Sequence, residues 1–173
     1  MVTSDENFKA VTSVLDNIKD SKILKALSLS DAGIVMGFKD KFKKIENYGI
    51  DMIFCNDDEA IAFSGKETLE EAINFFKNSS YMIAITVGSK GSIVIKDGEA
   101  IVSPAVEINP IDTNGAGDMF AGSFMHAYLK GYSLAECSDF SNFASSKVVE
   151  TFGPRLTKDC LLYTSDAADD LWC

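Results

Sequence analysis

The chain has 173 residues, 46% of them hydrophobic, and carries a formal net charge of −10 at pH 7. This length suffices for one domain with a buried core. The acidic balance argues against a nucleic-acid or anionic-membrane surface. No apolar stretch is long enough for a transmembrane helix, and the four cysteines form no C-x-x-C pair. A reduced, cytoplasmic protein is the simplest interpretation.

The first half of the chain alternates between helical and strand patterns. Apolar residues at helical spacing predict a helix over 5–19, which is followed by a short buried strand at 23–29. Ser30 and Asp31 can cap a second helix that ends near Tyr48. A strand over 51–54 precedes helices at 58–63 and 68–77, and Thr68 with Glu71 forms a capping-box pattern at the second of these.

The second half begins with an apolar strand over 81–87. Strands at 92–96 and 99–103 flank Asp97-Gly98, a strong hairpin signal, and helices at 115–130 and 133–152 follow. The order predicts an α/β fold of three layers, αβα, with a mostly parallel sheet and an antiparallel edge hairpin. The core is expected to include the phenylalanines Phe75, Phe76, Phe120, Phe124 and Phe140.

The most informative stretch is DTNGAGD at 112–118. Gly115, Ala116 and Gly117 carry little side chain, so their N–H groups at a helix start can point at an anion. Asp118 would repel a phosphate there unless it had a task, and the natural task is to accept a proton from the attacking group. The stretch therefore indicates phosphoryl transfer. A structural turn that caps a buried helix is the alternative.

Two better-known glycine loops do not fit. A Walker A loop needs Lys and Ser/Thr after its last glycine, whereas Ser123-Phe124 follows Gly122. The dinucleotide fingerprint fails because Phe120 stands at the position of its third glycine.

The run D-T-x-G-A-G-D resembles the signature of the ribokinase-like (PfkB-type) family of sugar and nucleoside kinases at every fixed position. Three further segments agree in order: residues 55–60 resemble the N-x-x-E element, 86–92 the nucleotide loop, and 141–144 with 152–153 the helix that borders the adenine. Family members are longer, and these motifs belong to their C-terminal half. We therefore expect an N-terminally truncated chain, with 1–160 the C-terminal part of a ribokinase-like kinase domain.

The resemblance implies roles for individual residues. Asp118 is the expected catalytic base, and the N–H groups of Gly115, Ala116 and Gly117 form the expected anion hole. The expected nucleotide contacts are Thr86, Gly88, Gly91, Asp112, Thr113, Asn114, Asn142 and Ala144. Asn56 and Glu59 are the candidates for holding Mg²⁺. Asp112 could instead brace the loop, Asn114 could favour the turn, and Asn56 to Glu59 could cap a helix.

The implied function is ATP-dependent phosphoryl transfer to a sugar or nucleoside hydroxyl. Asn114 and the segments 27–31 and 152–156 resemble adenosine kinases, which favours adenosine as the acceptor. A ribose- or fructose-type sugar kinase, a nucleotide-binding fragment without turnover, and an α/β module without activity remain open. The oligomeric state is not indicated.

The segment 161–173 differs from the rest of the chain. It continues no periodicity and holds three acidic residues and no basic one. It resembles a translated cloning or assembly scar, so we predict a non-native tail.

Overall fold

A computed structural model describes residues 2–156, and the predicted tail at 161–173 lies outside the described residues. The helices are α1 Asp5–Ile18, α2 Ala32–Gly37, α3 Lys39–Glu46, α4 Asp57–Ser64, α5 Leu69–Phe76, α6 Ala116–Leu129 and α7 Leu134–Val149. The strands are β1 Ala26–Ser28, β2 Met52–Asn56, β3 Met82–Thr86, β4 Ser92–Lys96 and β5 Glu99–Ser103.

The five strands form one sheet in the order β1-β2-β3-β4-β5. Strands β1 and β2 pair in parallel, with Leu27 opposite Ile53. The links 87–91 and 97–98 are too short for a parallel crossover, so β4 runs antiparallel to both of its neighbours. The predicted α/β fold, with a mostly parallel sheet and an antiparallel edge hairpin, is confirmed.

The hairpin between β4 and β5 has its turn at the predicted residues, Asp97 and Gly98. Asp97 and Gly98 have φ angles of 51° and 84°. Two central residues with positive φ define the type I′ turn, whose twist matches that of the flanking strands. The observed strand ends agree with the predicted ones for this reason.

The helix predicted from Ser30 to Tyr48 is two helices in the structure. Phe38, between α2 and α3, has φ −125° and ψ 28°, which is not helical. It follows Gly37, a poor helix former. The N–H of Phe38 closes α2 by donating to the carbonyl of Ile34 at 3.0 Å, and the carbonyl of Phe38 accepts from Phe42 at 3.1 Å as α3 begins.

The described chain divides into two compact units. The first contains residues 2–85 and 95–100, and the second contains 86–94 and the residues from 101 onward. In the first unit, Phe63 packs edge-on against Phe42 and stacks on Phe76, both with ring centroids 6.3 Å apart. The placement of Phe75 in the core was wrong. Phe75 is 42% exposed because it lies on the outer face of α5.

The core of the second unit lies between α6 and α7. Phe120 and Phe124 are buried and stack with ring centroids 6.0 Å apart. Helix α7 ends at Val149 rather than at residue 152. The carbonyl of Val149 accepts hydrogen bonds from the N–H groups of Ile111 and Asp112 at 2.8 and 3.2 Å. The end of α7 is thereby attached to the segment that precedes α6.

Candidate active site

A carboxylate links the two segments at this end of α7. Asp112 accepts a hydrogen bond from the N–H of Asn114 and another from the N–H of Gly153, both at 3.0 Å. Both hydrogen bonds lower the pKa of the Asp112 carboxyl below its ordinary value, and the bond from the Asn114 N–H has the larger effect. Asp112 thus ties the loop 112–115 to residues that follow α7.

Replacing Asp112 with asparagine tests this link through the pH dependence of stability. Because the pKa is lower in the folded state, the ionised carboxylate stabilises the fold above its unfolded pKa near 3.8. That contribution disappears as the pH falls through the folded pKa. Urea unfolding should therefore show the asparagine variant less stable at pH 7, with the difference shrinking towards pH 3. A difference that grows on acidification would contradict the link.

The start of α6 is open. Ser4, Asp31, Asn56, Thr68 and Ser133 cap other helices through their side chains. No side chain within residues 2–156 caps α6, whose N-cap is Gly115. The N–H groups of Gly117 and Asp118 have no acceptor among the described residues. Unpaired N–H groups at a helix start attract an anion.

Gly115 is required for this geometry. Its φ is 82°, in the left-handed region that glycine adopts without strain. A methyl group at this position would lie 2.6 Å from the carbonyl oxygen of Pro154. The loop therefore packs its N-cap directly on the chain that follows α7.

Asp118 lies in the first turn of α6 and is exposed. Its carboxylate makes no hydrogen bond or ion pair with any residue between 2 and 156. An exposed carboxylate beside open N–H groups is available to accept a proton from a bound hydroxyl group.

A pocket of about 670 Å³ lies within the second unit. Seven of the predicted site residues line it, namely Thr86, Gly88, Gly91, Thr113, Ala116, Gly117 and Asn142. Asp112, Asn114, Gly115 and Asp118 belong to the adjoining loop and helix start but not to the lining. Ala144 is buried and does not line the pocket either, because it follows another face of α7.

Sequence reasoning missed part of the lining. The missed residues are Ser89, Ala105, Val106, Glu107, Ile108, Pro110, Phe120, Ser145, Ser146 and Val149. On α7, the steps from Asn142 to Ser145, Ser146 and Val149 are three, four and seven residues, which place all four on one helix face. That spacing was the available signal. The segment 105–110 carried no comparable pattern.

The segment that follows β5 forms one side of the pocket and is held by Asn142 and Gly91. The Asn142 side-chain amide donates to the carbonyls of Ser103 and Pro104 at 3.3 and 3.0 Å. Gly91 has φ 99°, and any side chain on it would overlap the backbone of Ser103 and Ala105. Both residues therefore shape the pocket.

Asn56 and Glu59 lie in the first unit, where β2 passes into α4. They form a reciprocal capping box: the Asn56 side chain accepts from the N–H of Glu59 at 2.8 Å, and Glu59 accepts from the N–H of Asn56 at 3.1 Å. Glu59 is buried, and burial raises its pKa, against the opposing effect of the Asn56 N–H. The nearby carboxylates of Asp31 and Asp58 also raise the Glu59 pKa.

Two kinds of structural feature are absent from residues 2–156. No group of three or more His, Cys, Asp or Glu side chains there is arranged to hold a metal ion. No helix in the same range has the length and apolar composition needed to cross a bilayer.

Comparisons with known proteins agree on one family. The model of the pfkB family carbohydrate kinase matches residues 2–159. The chain is 32% identical over 145 residues to adenosine kinase 2 of Arabidopsis thaliana, covering 73% of this chain and 41% of that protein. It is 31% identical over 108 residues to cytidine kinase of Thermococcus kodakarensis, covering 60% of this chain and 38% of that protein.

The fold leads to the same family. The crystal structure of adenosine kinase from Sinorhizobium meliloti superposes with a TM-score of 0.84 at 29% identity, covering 92% of this chain and 49% of that one. The chain thus spans less than half the length of these relatives. Because the family model matches the whole of the described chain, the protein belongs to the pfkB family of carbohydrate kinases.

Proposed function

We propose that the protein transfers the γ-phosphate of ATP to a hydroxyl group of a sugar or nucleoside. The observation that supports this best is the start of α6, where unpaired N–H groups adjoin the exposed Asp118 carboxylate. The missing side-chain cap alone is not distinctive, since α3 also begins without one, but a purely structural turn would not need an exposed carboxylate beside the open N–H groups. The reaction needs both, because charge develops on the transferred group while a proton leaves the attacking hydroxyl.

The two halves of this machinery act differently. The N–H groups of Gly115, Ala116 and Gly117 stabilise negative charge on the transferred phosphoryl group, and each such donor is worth about 2.7–4 kcal/mol in a transition state. In the structure the Ala116 N–H donates to the carbonyl of Thr113 at 3.3 Å, so it has to leave or share that bond to bind the anion. Asp118 accepts the hydroxyl proton. The link from Asp112 to Asn114 and Gly153 keeps the loop in place before the substrate arrives.

The pocket is the proposed nucleotide site. Its volume of about 670 Å³ falls within the range of about 300–1,000 Å³ usual for small-molecule sites. Gly88 and Gly91 bring backbone close to the ligand on one side, while Asn142 lies on the opposite helix. Asp112, Asn114 and Ala144, which do not line the pocket, are proposed to act through the loop and the packing of α7 rather than by direct contact.

Magnesium fits Asn56 and Glu59 only through its water shell. Two hydrogen bonds from Asn56 to the Glu59 carboxylate leave further lone pairs on both side chains. Mg²⁺ keeps several waters and uses few protein ligands, so these oxygens would hold metal-bound water. When bound, the metal supplies charge neutralisation for the phosphates.

Replacing Glu59 with glutamine separates the metal role from the capping role. Glutamine also serves at this capping-box position, and it removes a charge whose burial is unfavourable at pH 7. Its carbonyl oxygen can keep the bond from the Asn56 N–H, whereas its NH₂ group cannot accept the bond that Asn56 Nδ2 donates to the carboxylate. We expect stability to change by less than about 1 kcal/mol, while a higher Mg²⁺ concentration becomes necessary for ATP binding. Titration of ATP binding against Mg²⁺ measures this.

The capping box of α5 provides the control, because Thr68 and Glu71 make the same reciprocal backbone contacts in an exposed setting. Replacing Glu71 with glutamine should leave the Mg²⁺ requirement unchanged. If the Glu59 variant and the unmodified protein needed the same Mg²⁺ concentration for ATP binding, Glu59 would have a capping role only and would not hold the metal.

Adenosine is the proposed acceptor, with AMP and ADP as products. The relatives include an adenosine kinase, a cytidine kinase and a ribokinase, so the preference for a nucleoside rests on the resemblance of Asn114 and of the segments 27–31 and 152–156 to adenosine kinases. Ribose and fructose are the alternatives. We place the reaction in the cytoplasm, as the cysteine pattern of the sequence indicates.

Incubation of the chain with ATP, Mg²⁺ and one of adenosine, ribose or fructose tests the proposal. We expect ADP and AMP to form in the incubation with adenosine. We expect no sugar phosphate to form in the incubations with ribose or fructose. If ribose or fructose gave product and adenosine did not, that sugar would be the acceptor in place of adenosine. Nucleotide binding without product would favour a binding fragment without turnover, and absence of binding would remove the kinase proposal for this chain.

A further inference from the structure

A serine of α7 reaches across to the start of α6. The Ser145 hydroxyl donates a hydrogen bond to the carbonyl of Ala116 at 3.1 Å, across 29 positions of the chain. Ala116 is the first residue of α6 and follows the N-cap Gly115. The bond therefore ties α7 to the helix start at which the proposed anion site lies.

Two other serines of α7 bond differently. The hydroxyls of Ser141 and Ser146 donate to carbonyls four and three positions earlier in their own helix, at 2.6 and 2.7 Å. Such bonds to the preceding turn are common for a serine inside a helix. Ser145 spends its single hydrogen on Ala116 instead. Its contact is a tie between two helices and not a local feature of α7.

The tie acts on a donor of the anion site. The carbonyl of Ala116 and the N–H of Gly117 belong to one planar peptide unit. In a trans peptide these two groups point in opposite directions, so a bond that holds the oxygen also sets the direction of the N–H. The Gly117 N–H has no acceptor among residues 2–156. Ser145 thereby aims an open donor from the far side of its peptide unit.

This peptide unit benefits from a hold outside its own helix. It lies in the first turn of α6, and helix ends fray. Gly117 has no side chain to limit rotation of the unit, and no heavy atom lies within 4 Å of the place where its Cβ would be. A hydrogen bond at the oxygen also polarises the unit, which strengthens the N–H as a donor by about 10–30%. Both effects favour an anion in front of Gly117.

We propose that Ser145 is a positioning residue for phosphoryl transfer, and that its bond to the Ala116 carbonyl holds the Gly117 N–H towards the terminal phosphate of ATP. The inference rests on the proposed function, because it takes the start of α6 as the site of that phosphate. Ser145 acts through the peptide unit 116–117 and not by contact with the phosphate.

Calorimetric titration of the chain with ATP and with ADP, both in the presence of Mg²⁺, tests this. The two nucleotides differ only in the terminal phosphate, so the ratio of their affinities reports on the anion site. Replacing Ser145 with alanine should lower the ratio of ATP affinity to ADP affinity by about 2- to 10-fold, the worth of one hydrogen bond. The affinity for ADP should stay the same.

Two further variants distinguish positioning from support of the pocket. Ser145→Thr keeps a hydroxyl at the same position and should keep the ratio of the unmodified protein. Ser141→Ala is the matched control, because Ser141 is buried on α7 and does not line the pocket. It should also keep the ratio, since looser packing of α7 would weaken both nucleotides alike.

An unchanged ratio in the Ser145→Ala variant would overturn the inference and leave the proposed function standing. The same conclusion would follow if the ratio fell as far in Ser145→Thr as in Ser145→Ala, because the hydroxyl would then not be the cause. Failure of the unmodified protein to bind either nucleotide would overturn the proposed function together with the inference.

Discussion

Replacing Asp118 with asparagine is expected to lower kcat by about 10²–10⁴-fold, with little change in ATP affinity. Asparagine has nearly the same shape but cannot accept the proton that the attacking hydroxyl loses. The side chain is exposed and unpaired with residues 2–156, so its replacement should leave the fold intact. Initial rates of ADP formation at saturating substrate, with ATP affinity measured separately, give the two quantities.

The matched control is Asp139→Asn, since Asp139 is an exposed acidic residue on α7 outside the pocket. It should keep full turnover. Where the chain alone does not turn over, the comparison belongs in a longer member of the pfkB family, at the aspartate that aligns with Asp118. Unchanged turnover in the Asp118 variant would exclude Asp118 as the base.

Replacing Gly115 with alanine should have the largest effect on the anion site. A non-glycine residue with φ near 82° costs about 1–2 kcal/mol in backbone strain. The added methyl group would also meet the carbonyl oxygen of Pro154 at 2.6 Å, so the loop or the following chain must shift. We expect lower stability in urea unfolding and weaker ATP binding, because the N–H groups of the loop move with Gly115.

Gly122 provides the comparison within the same helix. It is exposed, and a methyl group there would have no atom within 4 Å. Alanine at this position should raise stability by about 0.5–1 kcal/mol, the usual gain over glycine inside a helix. Equal stability changes in the two alanine variants would show that the contact with Pro154 does not constrain the loop.

Features whose causes are local can be predicted from the sequence alone. Asp97-Gly98 specifies a turn with two positive φ angles, and the turn sets the ends of β4 and β5. The capping box of Thr68 and Glu71 was predicted and forms as expected. The small residues before Asp118 likewise predict an open helix start, since nothing beyond neighbouring residues is needed to leave those N–H groups exposed.

Other features depend on residues far apart in the chain, and they become visible only in the folded molecule. Asp112 binds Gly153 across 41 positions, and Asn142 binds Ser103 across 39. Such contacts leave no periodic trace, because either partner alone resembles an ordinary polar loop or helix residue. The same holds for the exposure of Phe75.

The polar side chains of α7 at the pocket show why this division arises. The types and spacing of Asn142, Ser145 and Ser146 are visible in the sequence, yet their chemistry depends on which carbonyls take their hydrogens. Two of those carbonyl sources, the Ser103–Pro104 segment and Ala116, reach α7 only when the chain folds. A side chain that both donates and accepts acquires one polarity from its neighbours in space, and folding supplies those neighbours.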